Sequence, residues 1–197
     1  MSMWMPDPLI RLTEALKTLP GVGEHTAERL AFHLLAHRRT LRELARALAG
    51  AEELGFCSKC GVITDRDPCP ICSDPSRQNT LIVVERPADV FLFESFGFYR
   101  GKYHVLGGVI SPVEGVGPDQ LRIDSLVKRV EEEGISEVII GLSPTVEGDA
   151  TGFYIYDLLK DKAKLSRIAR GIPTGSELSL ADPITVKEAF VGRQPIE

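Results

Sequence analysis

The four cysteines of this chain have the residue type and the spacing of a metal site. Cys57 and Cys60 form one Cys-x-x-Cys pair, Cys69 and Cys72 form a second, and eight residues separate the two pairs. A Cys-x-x-Cys turn directs two sulfurs toward one point, so two such turns can complete a tetrahedron of thiolates around Zn²⁺ at about 2.3 Å. Because four thiolates leave no position for water or substrate, we predict one structural zinc ion per chain.

Two disulfides or a redox pair are the alternative interpretations of these cysteines. Disulfides suit secreted proteins, and we expect no signal peptide here because the first residues show no basic flank before an apolar stretch. A redox site needs only one Cys-x-x-Cys pair. Gly61, Pro68 and Pro70 lie beside the cysteines and favour the tight turns of a zinc knuckle. Zinc therefore remains the preferred interpretation.

A second candidate site is basic, although the whole chain has a net charge of −5. Within residues 29–49 the only acidic residue is Glu43, and His33 and His37 add to the basic side chains Arg29, Arg38, Arg39, Arg42 and Arg46. A local basic face can hold phosphates on an acidic molecule. A solvated helix face is the alternative interpretation of such a charge run.

A glycine turn between two helices precedes and overlaps this basic segment. Leucines at helical spacing predict a first helix that ends by Pro20, and Ala27, Leu30, Ala31 and Leu34 predict the apolar face of a second one. Between them, Gly21 and Gly23 let the backbone approach a phosphate, and the free N–H groups that open the second helix attract the anion. A plain connection between helices would also fit.

A third helix is predicted to begin at Thr40. Glu43 stands three residues later and would complete a capping box with it. We expect Leu41, Leu44 and Leu48 to face inward from this helix.

After the cysteines the pattern changes to alternating strands and helices. We predict helices over 87–96, 124–133 and 149–159, and strands over 80–85, 103–107, 137–142 and 165–170. This alternation predicts an α/β fold with a small parallel sheet. Apolar runs stop after a few residues, far below the roughly 18 that a membrane span requires, so we expect no membrane-spanning segment.

Three carboxylates follow strands of this predicted sheet. Glu85 ends the first strand, and Glu147 and Asp149 stand in the predicted loop after the third. Sites in parallel sheets gather at the carboxyl ends of strands, so these carboxylates would converge there if the strands are neighbours. Carboxylate oxygens at such a point could bind Mg²⁺.

The later acidic motif carries a resemblance to a known domain. Val84-Glu85, followed by Pro144-Thr145-Val146-Glu147-Gly148-Asp149-Ala150-Thr151, resembles the Toprim domain of topoisomerases, primases and related nucleases. The order of helix-hairpin-helix, four-cysteine zinc finger, Toprim domain and short tail resembles the RecR family of bacterial recombination mediators. We expect these regions at 1–55, 56–79, 80–175 and 176–197, with the tail as an oligomer contact.

The resemblance implies a function that the residues alone do not specify. It implies a DNA-binding mediator of recombinational repair that is not an enzyme. Such a mediator acts with RecO and RecF to help load recombinase on gapped or single-stranded DNA. It also implies a cytoplasmic, nucleoid-associated homo-oligomer, either a dimer or a tetramer ring, with no membrane partner. The expected residues for sequence-independent DNA binding are Gly21, Gly23, His25, Arg29, Arg38 and Arg39. Glu85, Glu147 and Asp149 would bind a partner or hold shape, with Mg²⁺ as an alternative ligand that has no catalytic role.

Two departures from the family pattern affect these expectations. Family hairpins commonly read Gly-x-Gly-Pro-Lys, whereas Glu24 and His25 occupy the last two places here, so Arg29 should carry more of the phosphate contact. The second departure is shared with the RecR family: Toprim enzymes usually carry Asp-x-Asp, whereas this chain has Glu147-x-Asp149, which fits a family not regarded as catalytic.

The competing hypothesis is an enzyme. A Mg²⁺-dependent nuclease or a primase-like phosphoryl transferase would use the three carboxylates and would also need a nucleophile. Candidates by residue type alone are Tyr99, Tyr103, Tyr154 and Tyr156, for which packing is the preferred role.

Overall fold

The computed structural model describes residues 4–195, which form two compact units. The first unit ends at Leu54 and the second begins at Gly55. The first unit consists of three helices: α1 (Asp7–Lys17), α2 (Glu24–Ala36) and α3 (Arg38–Ala51).

Helices α1 and α2 pack closely because small side chains lie between them. Ala27 and Ala31 are fully buried on α2, and Thr13 is buried on α1. The Thr13 hydroxyl donates to the carbonyl of Leu9 at 3.0 Å, so this buried polar group keeps a partner inside its own helix. This pair of helices carries the glycine turn, as the sequence predicts.

The start and the apolar face of α3 differ from the sequence prediction. The helix begins at Arg38, so Thr40 lies within it, and the predicted capping box is wrong. Glu43 instead accepts from the Nε of Arg39 at 2.8 Å. Leu44 and Leu48 are 40% and 62% exposed, and none of the residues of α3, all of which the structure describes, is buried. The expectation of an inward-facing leucine row is wrong for Leu44 and Leu48, and Leu41 is only half-buried.

The second unit opens with the cysteine segment. Strands β1 (Gly55–Phe56) and β2 (Ile63–Thr64) pair in antiparallel fashion, and a short helix, α4 (Pro70–Ser73), follows. Cys57 and Cys60 lie in the turn between β1 and β2. Cys69 caps α4 and Cys72 lies within it.

A four-stranded parallel sheet forms the centre of the second unit, which confirms the predicted fold class. The strand order is β4-β3-β5-β6. Its strands are β3 (Thr80–Val84), β4 (Lys102–Val105), β5 (Glu137–Ile140) and β6 (Lys164–Arg167). The flanking helices are α5 (Pro87–Phe96), α6 (Ile123–Glu132) and α7 (Val146–Leu159), and α8 (Pro183–Val191) lies near the end of the chain.

Strand β3 separates two hydrophobic clusters because alternate residues of a strand point to opposite faces. Leu81 and Val83 belong to one cluster, which also contains buried residues of α6 and α7. Ile82 and Val84 belong to the other, which contains Tyr103 and three of the four cysteines. The cysteine segment is therefore packed directly on one face of the sheet.

Helix α7 begins earlier than the sequence predicts. Thr145 caps it by accepting from the N–H of Gly148 at 3.0 Å, and the helix starts at Val146. Glu147 and Asp149 consequently lie in its first turn rather than in a loop. A Cβ at Gly148 would overlap the carbonyl oxygen of Ser143, so glycine is required at this close approach.

Candidate zinc site and nucleic-acid interface

The structure brings the sulfur atoms of the four cysteines together. All four Sγ atoms lie within 4.8 Å of one another, and those of Cys60 and Cys69 are 3.6 Å apart. A tetrahedron with Zn–S bonds of about 2.3 Å places its sulfurs roughly 3.8 Å apart. A disulfide requires about 2.05 Å. The arrangement therefore fits a single four-coordinate metal ion rather than two disulfides.

Backbone hydrogen bonds fix the two knuckles that carry these sulfurs. The N–H of Cys69 donates to the sulfur of Cys57 and the N–H of Cys72 donates to that of Cys69, each at 3.4 Å. Gly61 has a φ of 78°, which lets the chain turn back after Cys60. Amide donors of this kind stabilise negative charge on sulfur, so the local backbone favours thiolates at this position.

The pKa values of Cys72 and Cys69 are shifted in opposite directions. A hydrogen bond with Cys60 lowers the pKa of Cys72 to about 6, and the Arg129 guanidinium lowers it further in the same direction. Burial raises the pKa of Cys69 to about 11. Because zinc binds thiolates, Cys72 is better prepared for the metal than Cys69, from which the charge of the ion must draw the proton.

Two arginines that the sequence analysis did not single out contact the cysteine segment. Arg122 donates through Nη2 to the carbonyl of Ser58 at 2.9 Å, within the first knuckle. Arg129 donates through Nη2 to the sulfur of Cys72 at 3.5 Å, within the second. Both lie more than fifty residues from their partners in sequence. No local sequence signal marks such contacts.

The predicted DNA-binding turn has the backbone geometry of an anion site. Gly21 has a φ of 77°, and Gly23 caps α2 with extended backbone angles. The first amide that bonds into the helix is that of Ala27, which donates to the carbonyl of Gly23 at 2.9 Å. The N–H groups that precede Ala27 in α2 have no intrahelical acceptor, and they form the positive end of the helix dipole.

Neither backbone strain nor crowding explains the glycine at position 23, the N-cap of α2. Its φ is −81°, which any residue adopts, and a Cβ there would meet nothing within 4 Å. Glycine is favoured over alanine at a helix N-cap, and it also lets an external group come close to the backbone. Gly21 differs, because its left-handed φ requires glycine for the turn itself.

The predicted basic residues are exposed but do not form one cluster. His25 and Arg29 are one turn apart on α2 and so share a face. Arg38 lies beyond the other end of α2, whose last residue, Ala36, is already roughly 10 Å from Arg29 along the axis. Arg39 pairs with Glu43 at 2.8 Å. The stacked rings of His33 and His37, with centroids 4.2 Å apart, mark the α2–α3 junction.

The three carboxylates do not converge as expected. Strands β3 and β5 are neighbours, but among residues 4–195 only the cysteines form a group with metal-binding geometry. The carboxylate of Glu85 accepts from the N–H of Ser143 at 2.5 Å. Arg170 donates to both oxygens of Asp149, and this pair lowers the pKa of Asp149. The sequence prediction did not include Arg170, whose guanidinium pairs with the Asp149 carboxylate.

Two of the four tyrosines have structural roles. The hydroxyl of buried Tyr103 donates to Glu94 at 2.7 Å, and that of Tyr99 donates to the carbonyl of Lys102 at 3.1 Å. Tyr154 and Tyr156 are exposed on α7.

Comparisons with known proteins match the chain from its first helix to its last strand. Three family models match in order: the RecR helix-hairpin-helix over residues 9–52, the RecR four-cysteine zinc finger domain over 54–74, and the Toprim domain over 79–169. Recombination protein RecR from Heliobacterium modesticaldum is 48% identical over 96% of this chain and 98% of its own length. The protein of the same name from Thermus thermophilus is 43% identical over 98% of this chain and all of its own length. This chain belongs to the RecR family.

Membership of the RecR family confirms several sequence predictions. The cysteines belong to a RecR four-cysteine zinc finger, and with their converging sulfurs they form a structural zinc site for one ion. The RecR name is consistent with a role in recombination and repair, and the helix-hairpin-helix region is consistent with DNA binding. No helix within residues 4–195 is long and apolar enough to cross a membrane.

Proposed function

We propose that this RecR-family protein is a non-enzymatic, DNA-binding mediator of recombinational repair. It acts with RecO and RecF to help load recombinase on gapped or single-stranded DNA, in the cytoplasm and at the nucleoid. The observation that carries the DNA-binding part is the turn before α2, where an open glycine adjoins a free helix N-terminus. The partner and loading steps rest on the family resemblance.

The proposed DNA site follows the DNA backbone and reads no sequence. A phosphate is held by the amides that open α2, with Gly21 and Gly23 allowing the close approach. His25 and Arg29 lie on the same exposed face one turn apart and add positive charge. Arg38 and Arg39 lie beyond the far end of α2 and would contact a different phosphate.

The test of this site is a DNA-binding titration at several salt concentrations. We expect Arg29→Ala to weaken binding equally on unrelated sequences and to reduce the salt slope by about one counterion. The matched control is Arg11→Ala, which removes the same charge from an exposed position on α1. Unchanged affinity and slope for Arg29→Ala, or an equal loss for the control, would place the DNA site elsewhere.

We propose that Glu85, Glu147 and Asp149 form a partner-binding surface for RecO. Among the described residues, the Glu147 side chain takes part in no hydrogen bond or ion pair, so its charge is available to a basic partner. Asp149 is already balanced by Arg170 and should contribute less. Glu85 is half-buried and bonded to the Ser143 amide.

Calorimetric titration against RecO at low and high salt tests this surface. We expect Glu147→Gln to weaken binding more than Asp149→Asn at low salt, with the difference shrinking at high salt. Glu132→Gln is the control, because Glu132 is an exposed acid outside this surface. If both variants bind RecO normally, Glu147 and Asp149 are not part of the RecO interface.

The Toprim match favours one alternative, a Mg²⁺-dependent nuclease or primase-like phosphoryl transferase. Arg170 already pairs with Asp149, and Glu85, Glu147 and Asp149 do not form a group with metal-binding geometry. Both observations favour the non-enzymatic role, since metal-assisted phosphoryl chemistry needs organised ligands. DNA incubated with the protein and Mg²⁺ should therefore be recovered intact. Cleavage or synthesis that Glu147→Gln abolishes would establish the enzyme instead.

The protein is also proposed to form a homo-oligomer, a dimer or a tetramer ring, with residues 176–197 as a contact. The tail exposes a series of large apolar side chains: Leu178, Leu180, Ile184, Phe190 and Val191. Apolar groups exposed this densely on a short segment are typical of protein interfaces.

A further inference from the structure

Arg129 is a buried arginine whose three nitrogen atoms all have partners. It lies on α6 and is 6% exposed. Its Nε donates to Glu133 at 2.9 Å, its Nη1 donates to the carbonyl of Tyr103 at 2.6 Å, and its Nη2 donates to the sulfur of Cys72 at 3.5 Å. Burial of a guanidinium is costly unless such partners compensate for the lost water.

The zinc site needs a positive charge of this kind. Four thiolates and one Zn²⁺ carry a net charge of −2, and three of the cysteines are fully buried in an apolar cluster. Arg129 shares Glu133 with Lys102, which donates to it at 2.6 Å. Two cations and one carboxylate leave one net positive charge beside the cluster, and Arg129 is the member of this group that contacts a sulfur.

Cys72 is the ligand at which such a contact matters most. It is half-buried, whereas Cys57, Cys60 and Cys69 are buried. Cys72 is therefore the most exposed of the four ligand residues. The guanidinium contacts this sulfur directly and bonds through its other nitrogens to β4 and to Glu133, the residue that follows α6.

We propose that Arg129 is a positioning residue of the zinc site. It holds the Cys72 thiolate in place, offsets part of the charge of the zinc–thiolate cluster, and joins the second knuckle to the sheet. Retention of zinc therefore depends on a helix of the Toprim region, far from the cysteines in sequence.

Zinc release from the full-length protein to excess EDTA, followed with a colorimetric zinc indicator, tests the proposal. Hydrogen-bond partners of metal ligands typically change metal affinity by about 10–100-fold, so Arg129→Gln should weaken zinc binding within that range and release zinc faster. Lys128→Gln is the matched control, because it removes the same charge from an exposed position on the same helix. It should release zinc at the wild-type rate.

A second variant separates zinc positioning from general stability. Glu133→Gln weakens the ion pairs with Arg129 and Lys102 but leaves the contact between Arg129 and Cys72. It should lower the resistance to urea while the zinc release rate stays near that of the wild type. Arg129→Lys keeps the positive charge and should recover part of the zinc retention.

The spectrum of the cobalt-substituted protein gives a readout that stability alone does not move. A hydrogen bond to a thiolate alters its donation to the metal, so Arg129→Gln and Arg129→Lys should both shift the thiolate-to-cobalt charge-transfer band, whereas Glu133→Gln and Lys128→Gln should not. Wild-type zinc release and an unshifted band in Arg129→Gln would overturn the proposal, as would equally fast release from Glu133→Gln. If Arg129→Gln does not fold, the band of Arg129→Lys decides in the same way.

Discussion

At His104 the fold removes an imidazole from water completely. The side chain lies on β4 with no exposed surface; its Nε2 bonds to the carbonyl of Arg122 at 2.8 Å, and its Nδ1 has no partner within the described residues. Burial lowers the pKa of His104 to about 3, from a usual value of 6.5. The folded protein therefore holds this ring neutral at physiological pH.

This burial predicts a loss of stability in acid. Between pH 6.5 and pH 3 the unfolded chain binds a proton at His104 and the folded protein does not, so protonation favours unfolding as the pH falls. Within that window His104 lowers the free energy of unfolding by at most about 1.4 kcal/mol for each pH unit of acidification, and above it the effect vanishes. Urea unfolding at pH 7.5, 6.0 and 5.0 measures it.

The control for this prediction is His104→Gln, which keeps a donor for the Arg122 carbonyl but has no titrating group. Acid also releases zinc from thiolates, and it does so in both proteins. The comparison is therefore between the two pH slopes, and the variant should have the shallower one. Parallel slopes would mean that His104 is not buried as a neutral ring.

At the cysteines, loss of a single sulfur ligand should release the zinc ion. We expect Cys57→Ser and Cys72→Ser each to lower bound zinc from one per chain toward zero, because one missing thiolate opens the tetrahedron. Both variants should also unfold at lower urea concentrations, since metal binding and folding are coupled. Elemental analysis of the purified proteins checks the first expectation; a zinc-free wild type would contradict it.

At the scale of elements, the two glycines of the hairpin should respond differently to alanine. Gly23→Ala fits the backbone and touches nothing within 4 Å, so stability should fall only by the cost of a poorer N-cap, at most about 1 kcal/mol, while the new Cβ keeps a phosphate away from the amides of α2. Gly21→Ala must hold a φ of 77°, which costs an L-residue about 1–2 kcal/mol.

Thermal unfolding and DNA titration on the same samples check this pair. Gly23→Ala should lose DNA affinity with at most a small loss of stability, whereas Gly21→Ala should show mainly a loss of stability. If Gly23→Ala keeps the wild-type DNA affinity, the amides that open α2 do not contact DNA.

Elements whose ends carry their own chemical signals could be predicted from the sequence. Helix α5 has the predicted bounds because Pro87 suits a first turn and Gly97 supplies a left-handed C-terminus, with a φ of 71°. The predicted start of α7 is too late because it leaves out the cap at Thr145. The leucine row of α3 showed an apolar face correctly, but a pattern cannot tell whether anything covers that face.

The site residues also differ in whether the sequence could predict them, according to how far apart in the chain their partners lie. The zinc ligands could be predicted because both knuckles carry their ligands within one short segment. The contacts of Arg129 with Cys72 and of Arg170 with Asp149 could not, because each joins elements that meet only in the folded sheet. Local spacing carries no information on such pairs.

At the scale of the molecule, the exposed tail and the hairpin are proposed to act through assembly. One exposed hairpin offers few phosphate contacts, and several copies linked in an oligomer add theirs through a high effective concentration. Phe190→Asp places a charge in the exposed apolar row of the tail and should shift sedimentation toward the monomer. DNA affinity should fall with it, although the hairpin is untouched.

The salt slope shows whether assembly is the cause. A monomer that contacts DNA through one hairpin should have a smaller slope than the oligomer, because fewer counterions are released. Val113→Asp, at a 94% exposed position outside the tail, adds the same charge and should change neither sedimentation nor DNA binding. A Phe190→Asp protein that sediments as a monomer at micromolar concentration, yet keeps wild-type affinity and slope, would show that one hairpin is enough. DNA binding would then belong to the protomer, and assembly would have to serve another step.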